Sequence, residues 1–149
     1  MVFRSHMSRA LELAADAARQ GEVPVGAVIV GPDGDVIAEA RNAMRATHDP
    51  TAHAEIAAIR AACAALGTER LIGCDLYVTL EPCPMCAAAI SAARIARLYY
   101  AASDPKSGGV AQGPRIFQHA QCHHKPEVYD GIHAQEAEAQ LKAFFAERR

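Results

Sequence analysis

The sequence predicts an α/β protein, a three-layer α/β/α sandwich around a central mixed sheet. Two observations carry this expectation. Short apolar runs rich in β-formers alternate with longer Ala-rich segments, and the first two apolar runs are joined by turn residues. The 149 residues, 51% of them hydrophobic, suffice for one compact domain with a core and are too few for two. Neither an internal repeat nor a linker is visible.

Residues 8–19, SRALELAADAAR, put Leu11, Ala14, Ala15 and Ala18 on one stripe behind a Ser8 cap, predicting an amphipathic helix that Gly21 ends. The runs VPVGAVIV (23–30) and DVIAEA (35–40) flank GPDG, so an antiparallel hairpin is expected. After the polar stretch RNAMRATHDP, residues 51–66 contain neither Pro nor Gly. They predict a helix closed by Gly67, with His53 and Glu55 in its first turn. LYVTL (76–80) reads as a central strand buried on both faces and ending at Glu81. Pro82 stops the ladder, and PMCAAAISAARI (84–95) predicts a helix with Pro84 near its first position, where a missing N–H is harmless. RLYYAA (97–102) is a further strand. Residues 103–126, rich in Gly, Pro, Gln and His, predict a long loop with a short helical turn, the kind of segment that often carries function. AQEAEAQLKAFFAERR (134–149) closes the chain as a helix.

Composition narrows the function classes. A formal net charge of -2 gives no global positive field, so any nucleic-acid contact must come from a local patch. Tryptophan is absent and aromatics are 5%, which argues against a broad base-stacking platform. No apolar run approaches the roughly 20 residues of a membrane span, and MVFRSHMSR lacks a signal-like apolar stretch, so no membrane association and a cytoplasmic location are expected. Five cysteines, an odd number with two of them spaced as Cys83 and Cys86, suggest metal or redox chemistry in a reducing compartment.

Cys83 and Cys86 would share one face of a helix's first turn, where free N–H groups and the dipole favour thiolates. Taken alone, that spacing fits structural zinc, redox and catalytic roles alike. A third ligand, His53, opens the preceding helix, and three protein ligands leave the fourth tetrahedral position of a zinc ion for water. Glu55, two residues beyond that histidine, can face the same water without ligating and move its proton. A noncatalytic zinc-stabilised module would gain nothing from such a carboxylate. Cys122, His123 and His124 lie too far along the chain to complete a zinc finger with Cys83 and Cys86, and read as a pocket rim or a polar loop. Cys63 and Cys74 read as buried structural thiols.

The pattern His53-Ala54-Glu55 with Pro82-Cys83-Pro84-Met85-Cys86 resembles the signature of zinc-dependent nucleobase deaminases. The stretches EVPVGAVIV, Arg41-Asn42, HDPTAHAEI, LYVTLEPCPMCAAAI, RIARLYYAASDPKSGG and FFAERR resemble, over nearly the whole chain, the bacterial tRNA adenosine deaminases. The resemblance implies a cytidine deaminase-like fold with a five-stranded sheet, one zinc ion per subunit and a homodimer. It also implies conversion of adenosine to inosine at the wobble position, with the anticodon loop as partner. It carries substrate contacts onto Asn42, Asp104, Lys106 and His124, and onto Phe144, Phe145, Arg148 and Arg149 of the terminal helix. Each has a plainer reading: Asn42 and Asp104 as turn residues, Phe144 as core, and the arginines as suited to a helix C-terminus. RNA binding would rest on a patch of Arg41, Arg45, Lys106, Arg115, Lys125 and the terminal arginines. The alternative within the superfamily is a deaminase of free guanine, cytosine or cytidine with a capped pocket.

Overall fold

The computed structural model describes residues 3–148. Helix α1 (Met7–Arg19) leads into strands β1 (Gly26–Val30) and β2 (Val36–Arg41), followed by helices α2 (Met44–Thr47) and α3 (Ala54–Leu66). Strand β3 (Asp75–Leu80), helix α4 (Pro84–Ala92) and strand β4 (Arg97–Ala102) come next. A 3-10 turn (Ile116–Gln118), strand β5 (Glu127–Asp130) and helix α5 (Ala134–Ala146) complete the chain. The sheet order is β2-β1-β3-β4-β5. Pairs β1–β2 and β1–β3 are antiparallel, while β3–β4 and β4–β5 are parallel, giving the mixed five-stranded sheet expected.

The continuous apolar strands are explained by helices on both faces. Ala27, Ile29, Leu76, Val78, Leu98 and Tyr100 point to a core shared with Ala54, Ala58 and Ala62 of α3 and Ala87 and Ile90 of α4. Their neighbours Val28, Val30, Tyr77, Tyr99 and Ala101 point the other way, onto Met7, Ala10 and Leu13 of α1 and Ala137 of α5. A period of two sends alternate side chains to opposite faces, so a strand between two helical layers needs apolar residues at every position. In the hairpin, the Gly31 N–H donates to the Asp35 carbonyl at 2.8 Å and the Gly34 N–H to the Gly31 carbonyl at 3.0 Å. Gly34 takes the left-handed φ of 92° that this turn requires.

Four expectations need correction. Helix α1 begins at Met7, so Ser8 lies inside it; the Met7 N–H donates instead to Ser5 Oγ at 3.2 Å. Its buried stripe is Met7, Ala10, Leu13, Ala14 and Ala17, while Leu11, Ala15 and Ala18 are only half-buried. The reason is Gly26: a Cβ there would stand 2.1 Å from the Ala10 carbonyl oxygen, so α1 lies directly on β1 through its alanine face. The polar stretch after β2 contains a helical turn, α2, because buried Glu22 accepts the N–H groups of Arg45 (3.1 Å) and Ala46 (2.8 Å). Helix α4 stops at Ala92, short of Ile95, because Arg94 turns left-handed at φ 65° and the Ile95 N–H returns to the Ile90 carbonyl at 3.3 Å. Arg149 lies outside the described residues, and no described helix is long and apolar enough to cross a membrane.

Candidate active site

The parallel strands β3 and β4 end side by side, with the Glu81 N–H donating to the Ala102 carbonyl at 2.8 Å. Beyond this carboxyl edge, where open α/β sheets commonly bind ligands, α3 and α4 both begin. Their cap residues are His53 and Cys83. His53 is therefore the last extended residue before its helix, one position outside the predicted first turn, while Glu55 lies within that turn. His53 Nδ1 is 3.6 Å from Cys83 Sγ and 3.5 Å from Cys86 Sγ. All three ligand atoms lie within 4.8 Å of one another, and they form the one His/Cys/Asp/Glu cluster of this kind among the described residues.

These separations test the fit to a metal. A tetrahedral zinc with bonds of about 2.3 Å to sulfur and about 2.0 Å to nitrogen sets nitrogen–sulfur distances near 3.6 Å, so the donor set suits zinc without rearrangement. The electrostatics agree. Cys83 is drawn down to about 4, first by the Cys86 thiol that donates to it and then, against the opposing effect of burial, by His53. Cys86 is pushed strongly up because it keeps that shared proton, and further because it is buried. His53 is raised, chiefly by its hydrogen bond to Cys83. A cation serves two sulfurs better than the one proton they otherwise share.

Glu55 is 4% exposed, and its burial pushes the carboxyl up to about 7. It lies in the wall of a cavity of about 150 Å3 that also exposes His53 and Cys83. Val23, Val25, Met44 and Leu80 give this cavity apolar sides, and Asn42, Glu81, Asp104 and Ser107 give it polar ones. It is smaller than the roughly 300–1,000 Å3 typical of sites for drug-sized ligands, and it suits one flat ring system.

Asn42 and Asp104, both expected at the site, therefore line it, and both also do structural work. Asn42 is buried; its Oδ1 accepts the Ala54 N–H at 2.8 Å and its Nδ2 donates to the Val23 carbonyl at 3.1 Å. It thus caps α3 from outside and fixes the helix start that carries His53. The Asn42→Ala substitution is expected to cost about 1–2 kcal/mol of stability through the lost cap, checked by urea denaturation of the metal-loaded protein. Asp104 Oδ1 accepts the N–H groups of Lys106 (3.2 Å) and Ser107 (3.0 Å), so the turn reading of Asp104 also holds.

The remaining predicted contacts lie outside this cavity wall. Lys106 is exposed on the adjoining loop. His124 hydrogen-bonds through Nε2 to the Ile95 carbonyl at 2.7 Å, which ties the loop to the turn between α4 and β4. Phe144 is buried near the end of α5, with the Arg148 guanidinium 3.6 Å above its ring and Phe145 packed edge-on at 5.3 Å. Cys122 and His123 line a different cavity, of about 620 Å3, shared with Ala88, Ser91 and Ala92 of α4. All five cysteines are free; Cys74 is buried and Cys63 half-buried.

In the sequence, Glu81 marks only the end of a strand. A charged residue at the end of an otherwise apolar buried strand was the signal available. The distant partners that make it informative are visible only in the fold.

Comparison with known proteins follows the same lines. Residues 3–102 match the model of the cytidine and deoxycytidylate deaminase zinc-binding region. The chain is 57% identical to a tRNA-specific adenosine deaminase of Agrobacterium fabrum, over 100% of this chain and 98% of that protein. A solved structure from a study of A-to-I editing by tRNA deaminases at the wobble position superposes with a TM-score of 0.90 at 57% identity, covering 93% of this chain and 100% of that one. A guanine deaminase from Bacillus subtilis superposes with a TM-score of 0.65 at 47% identity, covering 69% of this chain and 66% of that one.

Proposed function

Because the chain belongs to the cytidine and deoxycytidylate deaminase family, within its tRNA-specific adenosine deaminases, we propose that it converts adenosine to inosine at the wobble position of a tRNA anticodon. The observation that carries this reading is the meeting of His53, Cys83 and Cys86 beside a cavity whose wall His53 and Cys83 share with a buried carboxylate, Glu55. These three side chains would hold one zinc ion. Bound there, zinc supplies Lewis-acid chemistry that lowers the pKa of water to about 7. Glu55 stands outside the ligand trio and would serve as the proton carrier, delivering one proton of the attacking water to the ring nitrogen and the other to the departing amino group, which leaves as ammonia.

The other walls orient the base. Val23, Val25 and Leu80 exclude water beside a flat ring. Asn42 uses one Nδ2 hydrogen on Val23 and has a second for the substrate, and Asp104 offers an acceptor at the same wall. A base can enter so small a cavity only when splayed out of its stack, as the bases of a single-stranded loop can be. Arg41 and Arg45 flank Asn42 and Met44, and Lys106 flanks Asp104 and Ser107. These three, with Arg115 and Lys125, are exposed and outside any ion pair among the described residues, which suits phosphate contacts on either side of the cavity. We assign His124, Phe144 and Arg148, which lie outside the cavity wall, as more distant RNA contacts.

We also propose a homodimer. Helix α4 carries no charge, yet Met85, Ala88 and Ala92 are exposed along one stripe beside the 620 Å3 cavity, and a helix apolar all round belongs in an interior. Sedimentation equilibrium reads the dimer directly.

The assay for the activity incubates the zinc-loaded protein with an anticodon stem-loop carrying a wobble adenosine, then digests the RNA to nucleosides. Inosine is expected, with free guanine, cytosine and cytidine unchanged. Conversion of a free base and not of the stem-loop would keep the zinc site and overturn the RNA substrate.

A further inference from the structure

Glu81 is a carboxylate, 2% exposed, for which the proton chemistry above has no use. Its oxygens are fully engaged by one segment of chain. Oε1 accepts from Ser103 Oγ at 3.2 Å and from the Asp104 N–H at 3.0 Å. Oε2 accepts from the N–H groups of Val110 (3.1 Å), Ala111 (2.9 Å) and Gln112 (3.0 Å). Gln112 Nε2 then returns to Ser103 Oγ at 3.2 Å, closing the ring of contacts. Burial alone would raise this carboxyl, but the four backbone donors outweigh it and hold it below its ordinary range.

The packing leaves no slack around this arrangement. A Cβ on Gly108 would stand 2.5 Å from Glu81 Cδ, and one on Gly109 would stand 2.5 Å from the Pro84 nitrogen. The Gly109 N–H also donates to the Pro82 carbonyl at 2.8 Å. Residues 103–112 are thus folded around a side chain that immediately precedes Pro82 and the ligand Cys83. The same segment supplies Asp104 and Ser107 to the cavity wall.

We propose that Glu81 is a positioning residue that holds residues 103–112 as the substrate-binding wall of the cavity, and so sets affinity for the nucleotide. The inference rests on the deaminase reading for the identity of that nucleotide. Zinc retention belongs to His53, Cys83 and Cys86, and the chemical step to Glu55. A neutral amide in place of Glu81 must turn its NH2 toward at least one backbone N–H that the carboxylate accepted, which releases part of the wall without emptying the space.

The test uses Glu81→Gln, Glu81→Asp and Gly108→Ala in the zinc-loaded protein with the anticodon stem-loop. Glu81→Gln is expected to keep its zinc and to raise KM about tenfold, with kcat changed less than about threefold. Glu81→Asp keeps the charge but shortens the reach, and is expected to recover part of the loss. Gly108→Ala pushes the same segment off an intact carboxylate and is expected to raise KM likewise. In hydrogen exchange, the amides of Val110, Ala111 and Gln112 are expected to lose protection in Glu81→Gln while those of β3 and β4 keep theirs.

Wild-type KM in both Glu81→Gln and Gly108→Ala, or a fall in kcat that tracks loss of zinc, would overturn the proposal. If the unmodified protein leaves the stem-loop unchanged, the deaminase reading fails instead. Hydrogen exchange then still decides whether Glu81 holds the wall.

Discussion

Replacing Glu55 by glutamine is expected to leave one zinc per chain and to lower kcat for the stem-loop by about 10²–10⁴-fold, the range that a positioned proton carrier supplies. The expectation follows from where Glu55 sits. It is buried in the first turn of α3, two residues from a ligand and in the wall of the same cavity, but it is not one of the three ligand side chains. An amide of the same size preserves that packing and cannot cycle a proton. Metal analysis and steady-state kinetics on the same preparation separate the two effects. Turnover close to wild type with zinc in place would remove Glu55 from the chemistry.

Cys83→Ala is expected to fail at the earlier step, losing both zinc and turnover. Cys83 is the cap residue of α4, and its sulfur lies 3.6 Å from His53 Nδ1. Without it, two protein ligands remain, and the Cys86 thiol loses the partner that shares its proton. Since changes to groups that merely support a ligand cost about 10–100-fold in metal affinity, loss of a ligand is expected to cost more than about 100-fold. Zinc-dependent stabilisation should fall with it, because an ion that binds only the folded chain raises the melting temperature by mass action. A competition titration against a chelating dye, paired with thermal melts at several zinc concentrations, reads both. Wild-type zinc affinity in Cys83→Ala would mean that the ligand set is wrong.

The contrast between these two variants shows what was legible from the sequence. Helix starts close to His53 and Cys83 were expected because Pro84 and the uninterrupted Ala-rich runs are local signals, and the signature around them pointed to a zinc deaminase. Strands β1 to β4 were equally readable, since an apolar run such as LYVTL between turn residues has few other uses, whereas β5 is exposed throughout and carries no such run. What escaped was set by partners distant in sequence. Glu22 caps α2 from before β1, Asn42 caps α3 from the end of the hairpin, and Glu81 gathers donors from residues 103–112.

Local propensity cannot register a hydrogen bond whose two ends are joined only by the completed fold. The same reason explains the rotated stripe of α1. Periodicity alone placed Leu11 inward, whereas the absent side chain of Gly26 let the backbone at Ala10 settle on β1. His124 likewise has a partner, the Ile95 carbonyl, that lies far from it in sequence.

The most direct test of hydrolytic deamination within RNA is mass analysis of the stem-loop after reaction in isotope-labelled water. The account predicts one oxygen from that water in place of the amino nitrogen at the wobble nucleotide alone, with ammonia released in equal amount. Label at no nucleotide, or only in free bases offered alongside the RNA, would contradict it.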